Sequence, residues 1–181
     1  IGRSAPDETA RAVEAAGRRL HFIEANLSGA DVAGPAIDAV VAAFGTIDIL
    51  INNAGIIRRA DSVDFTEADW DEVMDTNLKA AFFLCQAAGR LMLAKGGGKI
   101  VNIASLLSFQ GGIRVPSYTA SKHGLAGLTK ILANEWAARG VNVNAIAPGY
   151  FVTNNTEALR ADENRSRQIL ERIPAGRWGQ G

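Results

Sequence analysis

The sequence predicts an α/β fold, a doubly wound parallel sheet in three α/β/α layers, and three observations carry that reading. Helix and strand signals alternate along the chain. The strand candidates are short runs rich in β-branched residues, and the helix candidates between them carry apolar residues at helical spacing. Three of the strands run into loops of small or polar residues, as strands do where a parallel sheet presents its carboxyl ends to a ligand. Repeated strand–helix–strand order argues for helices on both faces of such a sheet. A chain of 181 residues suits one domain with one core, so residues 1–181 are expected to form a single unit.

Asp7 to Ala16 reads as a helix stopped by Gly17, and Leu20 to Ala25 as a strand. Asp31 to Phe44 is the next helix, with Gly45 as its stop. Ile47 to Asn52 is a strand that runs into Asn53-Ala54-Gly55, where small residues allow a ligand to approach the backbone. Thr66 is a good N-cap for a long helix reaching about Ala94. Lys99 to Ser105 is an apolar strand ending in a serine, and Pro116 or Ser117 opens a helix running to about Arg139 and closed by Gly140. Val141 to Ile146 is a further strand, followed by Ala147-Pro148-Gly149 and Thr153. Glu157 to Ile173 reads as a helical excursion where a substrate lid would sit, ended by Pro174.

Nineteen Lys and Arg balance nineteen Asp and Glu, so nothing points to nucleic acid or an anionic membrane surface. No apolar run is long enough to span a bilayer, and no signal peptide is visible. Cys85 is the sole cysteine and lies in an apolar run, which excludes an internal disulfide and fits a reducing cytoplasm. No Cys/His or carboxylate group has metal-ligand spacing, so no metal is expected. His21 and His123 carry no expected function, and Trp70, Trp136 and Trp178 are expected to pack.

The most informative stretch is Tyr118-Thr-Ala-Ser-Lys122. A phenol and an ammonium four residues apart lie one helical turn from each other on the same face. A free tyrosine keeps its proton to about pH 10, too high for a base near neutrality. A lysine charge beside it favours the phenolate and brings that proton within reach of a substrate hydroxyl. Taken alone, the pair could equally be an exposed helical couple. Ser105, at a strand end a short loop upstream, can hydrogen-bond the same substrate oxygen.

Together these features resemble the short-chain dehydrogenase/reductase family. The resemblance rests on N-N-A-G at Asn52 to Gly55, Asn77, Ser105, Y-T-A-S-K at Tyr118 to Lys122 and P-G-Y-F-V-T at Pro148 to Thr153. It implies a Rossmann-type fold and NAD(P)-dependent hydride transfer between a secondary alcohol and a ketone. Tyr118 would exchange the hydroxyl proton, with Lys122 lowering its pKa and bonding the nicotinamide ribose. Ser105 would steady the substrate oxygen. Asn77 would hold a water that leads protons from the lysine to solvent. Asn53, Ala54 and Gly55 would line the adenosine side, and Pro148, Gly149, Val152 and Thr153 the nicotinamide side. Asn26-Leu27 stands where the family usually has an acidic residue followed by an apolar one near adenine. NAD is the expected carrier; Arg3, near the ribose 2′ position, would favour NADP. The family pairs its two long helices between subunits, which implies a homotetramer.

The strings S-F-Q-G-G-I-R-V-P-S-Y-T-A-S-K and I-P-A-G-R-W-G resemble a narrower branch that acts on deoxy-keto sugar acids. Such a substrate needs a cation for its carboxylate. Arg58, Arg59 and Arg114 are the candidates, each with a surface pairing to Asp61 or Asp64 as the alternative. Gln110, Asn154 and Asn155 could bond sugar hydroxyls, so Ser105, Gln110, Arg114, Tyr118 and Asn154 make up the expected substrate set. A 3-oxoacyl thioester or a polyol remains as another substrate, and a non-catalytic dinucleotide-binding regulator as another class. The family's opening Gly-rich turn has no counterpart here, because Gly96-Gly97-Gly98 precedes a strand. With Ile1 first and Gly181 last, the chain is expected to be the middle of a longer protein.

Overall fold

A computed structural model of the chain describes residues 1–153 and 156–180. Its sheet holds three parallel strands, β1 (Ile49–Asn52), β2 (Gly98–Ile103) and β3 (Val141–Ile146), in that spatial order. Between β1 and β2 run α3 (Glu67–Met74), a π-helical segment (Asp75–Lys79) and α4 (Ala80–Lys95). Between β2 and β3 runs α5 (Pro116–Trp136), closed by a 3₁₀ turn at Ala137–Arg139. Two earlier helices, α1 (Asp7–Ala15) and α2 (Ala33–Phe44), precede the sheet, and two short ones, α6 (Glu157–Ala161) and α7 (Glu163–Leu170), follow it.

Register decides what each face of the sheet meets. Leu50, Ile100 and Val143 stand in one row and are buried, as period-two alternation requires of the core face. They join Ala33 and Ile37 of α2, Leu84, Cys85, Ala88 and Met92 of α4, and Leu132 of α5 in one cluster. Each fully buried large aliphatic side chain contributes roughly 1.5–3 kcal/mol. The neighbouring row, Ile51, Val101 and Asn144, faces the other way, and Ile51 is 59% exposed. Among the described residues, α2, α4 and α5 pack on the Leu50 face.

Helix ends follow their sequence signals. The Thr66 hydroxyl accepts from the Asp69 amide at 3.1 Å, a cap of about 1 kcal/mol. Gly45, Gly96 and Gly140 close their helices in the left-handed region. Gly140 is the most constrained, with φ +82° and a Cβ position only 2.3 Å from the Gly96 carbonyl oxygen.

Three expectations need correction. Leu20 to Ala25 is not a strand: it makes a single parallel bridge, Gly2 with Glu24, and one rung does not build a ladder. The excursion from Glu157 is two helices, because Asp162 takes an extended conformation and uses its carboxylate to cap the Arg165 amide at 3.0 Å. The long helix from Thr66 is interrupted by the π-helical segment, a feature frequent at functional sites. No helix among the described residues is long and apolar enough to cross a membrane, and no three His, Cys, Asp or Glu cluster as a metal site.

Candidate active site

The site is assembled where β1, β2 and β3 end. Underneath it, Asn52 at the end of β1 donates to Asn102 Oδ1 of β2 at 2.9 Å and to Cys85 Sγ at 3.2 Å. Asn102 in turn donates to Thr129 Oγ1 of α5 at 2.9 Å. These buried polar groups lock the strand ends to α4 and α5, and a buried polar group left without its partner costs about 1–3 kcal/mol. Burial pushes the Cys85 thiol up to about 11, so it stays an unreactive thiol.

Past β2, Ser105 heads a 3₁₀ turn, its hydroxyl accepting from the Leu107 amide at 3.2 Å. Ser108 donates to the Lys122 carbonyl at 2.8 Å and ties this loop to α5. Pro116 opens α5 at a position that lacks a hydrogen-bonding partner for its amide anyway. One turn then separates half-buried Tyr118 from buried Lys122. The Lys122 ammonium donates to the Ile103 carbonyl at 2.6 Å and lies 5.6 Å from the centre of the Tyr118 ring.

Asn77 is 1% exposed, in the π-helical segment. Its Oδ1 accepts from the Ile56 amide at 2.8 Å, while Nδ2 donates to the Ile56 carbonyl at 2.9 Å and to Ser121 Oγ at 3.3 Å. Ser121 Oγ donates onward to the Tyr118 carbonyl at 2.8 Å. The side chain of Asn77 thus fastens the loop after β1 to α5. Between them, the Cβ position of Gly55 lies 3.5 Å from Asn77 Oδ1 and 3.8 Å from Lys122 Nζ.

The electrostatics differ from the expectation in one respect. Burial raises the Tyr118 phenol above its usual range, while a hydrogen bond with Ser105 and the Arg59 guanidinium pull it down. Arg59 is thus a cation acting on the phenol. Lys122 has turned its ammonium to the Ile103 carbonyl, beside the ring, and burial lowers its own pKa to about 8. Burial also lowers the pKa of Arg59, which stays charged at any ordinary pH.

Two cavities meet at Ser105, Tyr118, Pro148, Gly149 and Thr156. One, of about 370 Å³, is walled by Asn53, Gly55, Lys122 and Thr153 as well. The other, of about 180 Å³, adds Gln110, Arg59 and two arginines that sequence reasoning missed, Arg165 and Arg172. Ala54 and Val152 each adjoin a wall residue. Asn26 and Leu27 wall neither cavity: the Asn26 carboxamide accepts from the Ser28 amide at 3.4 Å, and Leu27 packs against the core. Arg114 also lies outside both walls; it pairs with Asp61 at 3.0 Å and has a left-handed φ of 63°. Arg58 pairs with Glu72 at 2.6 Å and Asp69 at 3.5 Å. Asn154 and Asn155 lie outside the described residues.

The larger cavity fits a nicotinamide dinucleotide. Its wall offers an ammonium (Lys122), a hydroxyl (Thr153) and an amide (Asn53), groups suited to ribose hydroxyls and a carboxamide. Gly149 leaves open space where a side chain would otherwise intrude.

The sequence model of the short chain dehydrogenase family matches residues 2–164. The chain is 61% identical over 175 residues to the 2-dehydro-3-deoxy-D-gluconate 5-dehydrogenase of Escherichia coli strain K12, covering 96% of this chain and 69% of that protein. It is also similar to a crystal structure from Agrobacterium tumefaciens with bound NADP, at 62% identity and a TM-score of 0.85, covering 98% of this chain and 71% of that one. A gluconate 5-dehydrogenase from Burkholderia cenocepacia J2315, in complex with NADP and tartrate, superposes with a TM-score of 0.92 at 38% identity, covering 99% and 72%. The chain belongs to the short-chain dehydrogenase family, NAD(P)-dependent oxidoreductases of CH–OH groups.

Proposed function

We propose that the protein interconverts a secondary alcohol and a ketone on a deoxy-keto sugar acid, 2-dehydro-3-deoxy-D-gluconate or 2-deoxy-D-gluconate. The observation that carries this reading is the meeting of the two cavities at Ser105 and Tyr118. One chamber has the donors for a dinucleotide, and the other has cations and Gln110 for an acidic polyol. A bound nicotinamide dinucleotide supplies or takes up the hydride.

The chain's own residues handle the proton. In the oxidative direction Tyr118 accepts the substrate hydroxyl proton on its phenolate oxygen; in reduction the phenol returns it. Arg59 stabilises the phenolate, and Ser105 donates to it or to the substrate oxygen. Lys122 holds the dinucleotide side of Tyr118, and Asn77 positions the loop after β1 against α5. Asn53, Gly55, Pro148, Gly149 and Thr153 wall the dinucleotide chamber, with Ala54 and Val152 adjoining them.

NAD and NADP both fit this reading. Arg3 supports NADP, because a guanidinium beside the ribose 2′ position suits a 2′-phosphate. Residues 1–181 act as one dinucleotide-binding domain in a cytoplasmic enzyme. Four copies assemble through α4 and α5, whose Leu91 and Ile131 are 39% and 49% exposed. Sizing at micromolar concentration should give a tetramer, and a monomer would contradict it.

The functional test is turnover of the purified polypeptide with each dinucleotide on the two sugar acids, a 3-oxoacyl thioester and a neutral polyol. Highest kcat/KM on a sugar acid supports the reading. Preference for the thioester would replace it.

A further inference from the structure

The substrate-side cavity has a charge that its polar lining alone does not require. Arg59, Arg165 and Arg172 line it, and no Asp or Glu does. The remaining wall is largely apolar, including Ile57, Leu107, Ile113, Tyr150 and Leu159. Three cations on the wall of one partly apolar chamber repel each other, so the arrangement favours an anion among them.

The three are not equivalent. Arg59 is coupled to Tyr118 and sits at the reacting end. Arg165 and Arg172 belong to a different stretch of chain, the excursion containing α7, and stand seven residues apart in sequence. Seven residues is about two helical turns, which brings side chains to the same side of a helix and its immediate continuation. Ile169, 3% exposed, anchors that stretch between them. Arg165 donates to Gln168 Oε1 at 3.0 Å, a neutral partner, and neither arginine has an ion pair among the described residues. By contrast, Arg167 donates to Asn164 Oδ1 at 3.0 Å and lines neither cavity.

We propose that Arg165 and Arg172 hold the carboxylate of the substrate and thereby fix which carbon of an open-chain sugar acid reaches Tyr118. A guanidinium pair suits a carboxylate because its planar forks match the two oxygens. Arg58 and Arg114, the other sequence candidates, are already committed to carboxylates of the protein. The proposal rests on the sugar-acid reading above and assigns its specificity to α7 and the turn after it.

The test is steady-state kinetics of the purified polypeptide on 2-dehydro-3-deoxy-D-gluconate, with dinucleotide affinity measured alongside. Arg165→Gln and Arg172→Gln should each raise KM tenfold or more, with kcat within about threefold, because uniform binding is what they supply. Arg165→Lys should recover part of the loss, Arg167→Gln should leave KM unchanged, and all four should bind dinucleotide as the unaltered protein does. An unchanged KM in the Arg165→Gln/Arg172→Gln double variant would overturn the assignment while leaving the sugar-acid reading intact. Loss of dinucleotide affinity together with KM would mark the arginines as structural and also overturn it. Failure of the unaltered protein to turn over any sugar acid would overturn the reading itself.

Discussion

The Lys122 ammonium donates to the main-chain carbonyl of Ile103 at 2.6 Å, inside the sheet-and-helix junction and 5.6 Å from the Tyr118 ring centre. This bond holds the last residue of β2 to the helix that carries the base. It also means that a cation is buried against one carbonyl dipole, which explains why burial lowers its pKa to about 8 from 10.5.

That depression has a consequence for stability. Between pH 8 and 10.5 the unfolded lysine still binds its proton while the folded one has released it. Stability contributed by this site therefore rises with pH across that window, since the unfolded state binds more protons there. Lys122→Met should remove the rise. Urea midpoints of both proteins at pH 7.5 and 10 check it: the unaltered protein should gain on the variant at pH 10, and parallel behaviour would contradict the burial.

Arg59 is a cation that favours the Tyr118 phenolate. Arg59→Gln should raise the phenol's pKa and move the acid limb of the oxidative kcat/KM profile to higher pH. A profile that only drops in height, with its limb unmoved, would give Arg59 a binding role alone.

Gly140 combines a left-handed backbone with a Cβ position 2.3 Å from the Gly96 carbonyl oxygen. Both turns that lead into β2 and β3 meet there. Gly140→Ala should cost about 2–4 kcal/mol, from backbone strain and forced displacement of a neighbouring turn. Thermal or urea denaturation reads this directly, and a loss under 0.5 kcal/mol would contradict the packing of the two turns.

Which of these features could be read in the sequence follows from their range. The helices closed by Gly45 and Gly140 and capped by Thr66 announce themselves locally, and the structure has them. Tyr118 and Lys122 were legible as a pair because one helical turn is a local distance. The direction of the Lys122 ammonium was not, since its partner is a carbonyl nineteen residues away. Leu20 to Ala25 has strand composition, yet a strand is made by its neighbours and here only Gly2 pairs with it. The Asp162 break was hidden because an aspartate can sit in a helix or cap the next one. Arg165 and Arg172 lie in sequence beyond the motif loops that mark the site. Their seven-residue spacing was visible, but nothing local says that α7 covers the cavity. The partners of Arg58, Asp69 and Glu72, come into reach only in the fold, whereas Arg114 makes the surface pairing with Asp61 that the sequence offered as the alternative.

The most direct measurement is turnover of Tyr118→Phe, with dinucleotide affinity determined on the same preparation. Proton exchange through the phenol predicts that kcat falls by about 10²–10⁴-fold while the dinucleotide binds within about twofold of the unaltered protein. Turnover within threefold of the unaltered protein would contradict the account, because the account carries the proton through the phenol.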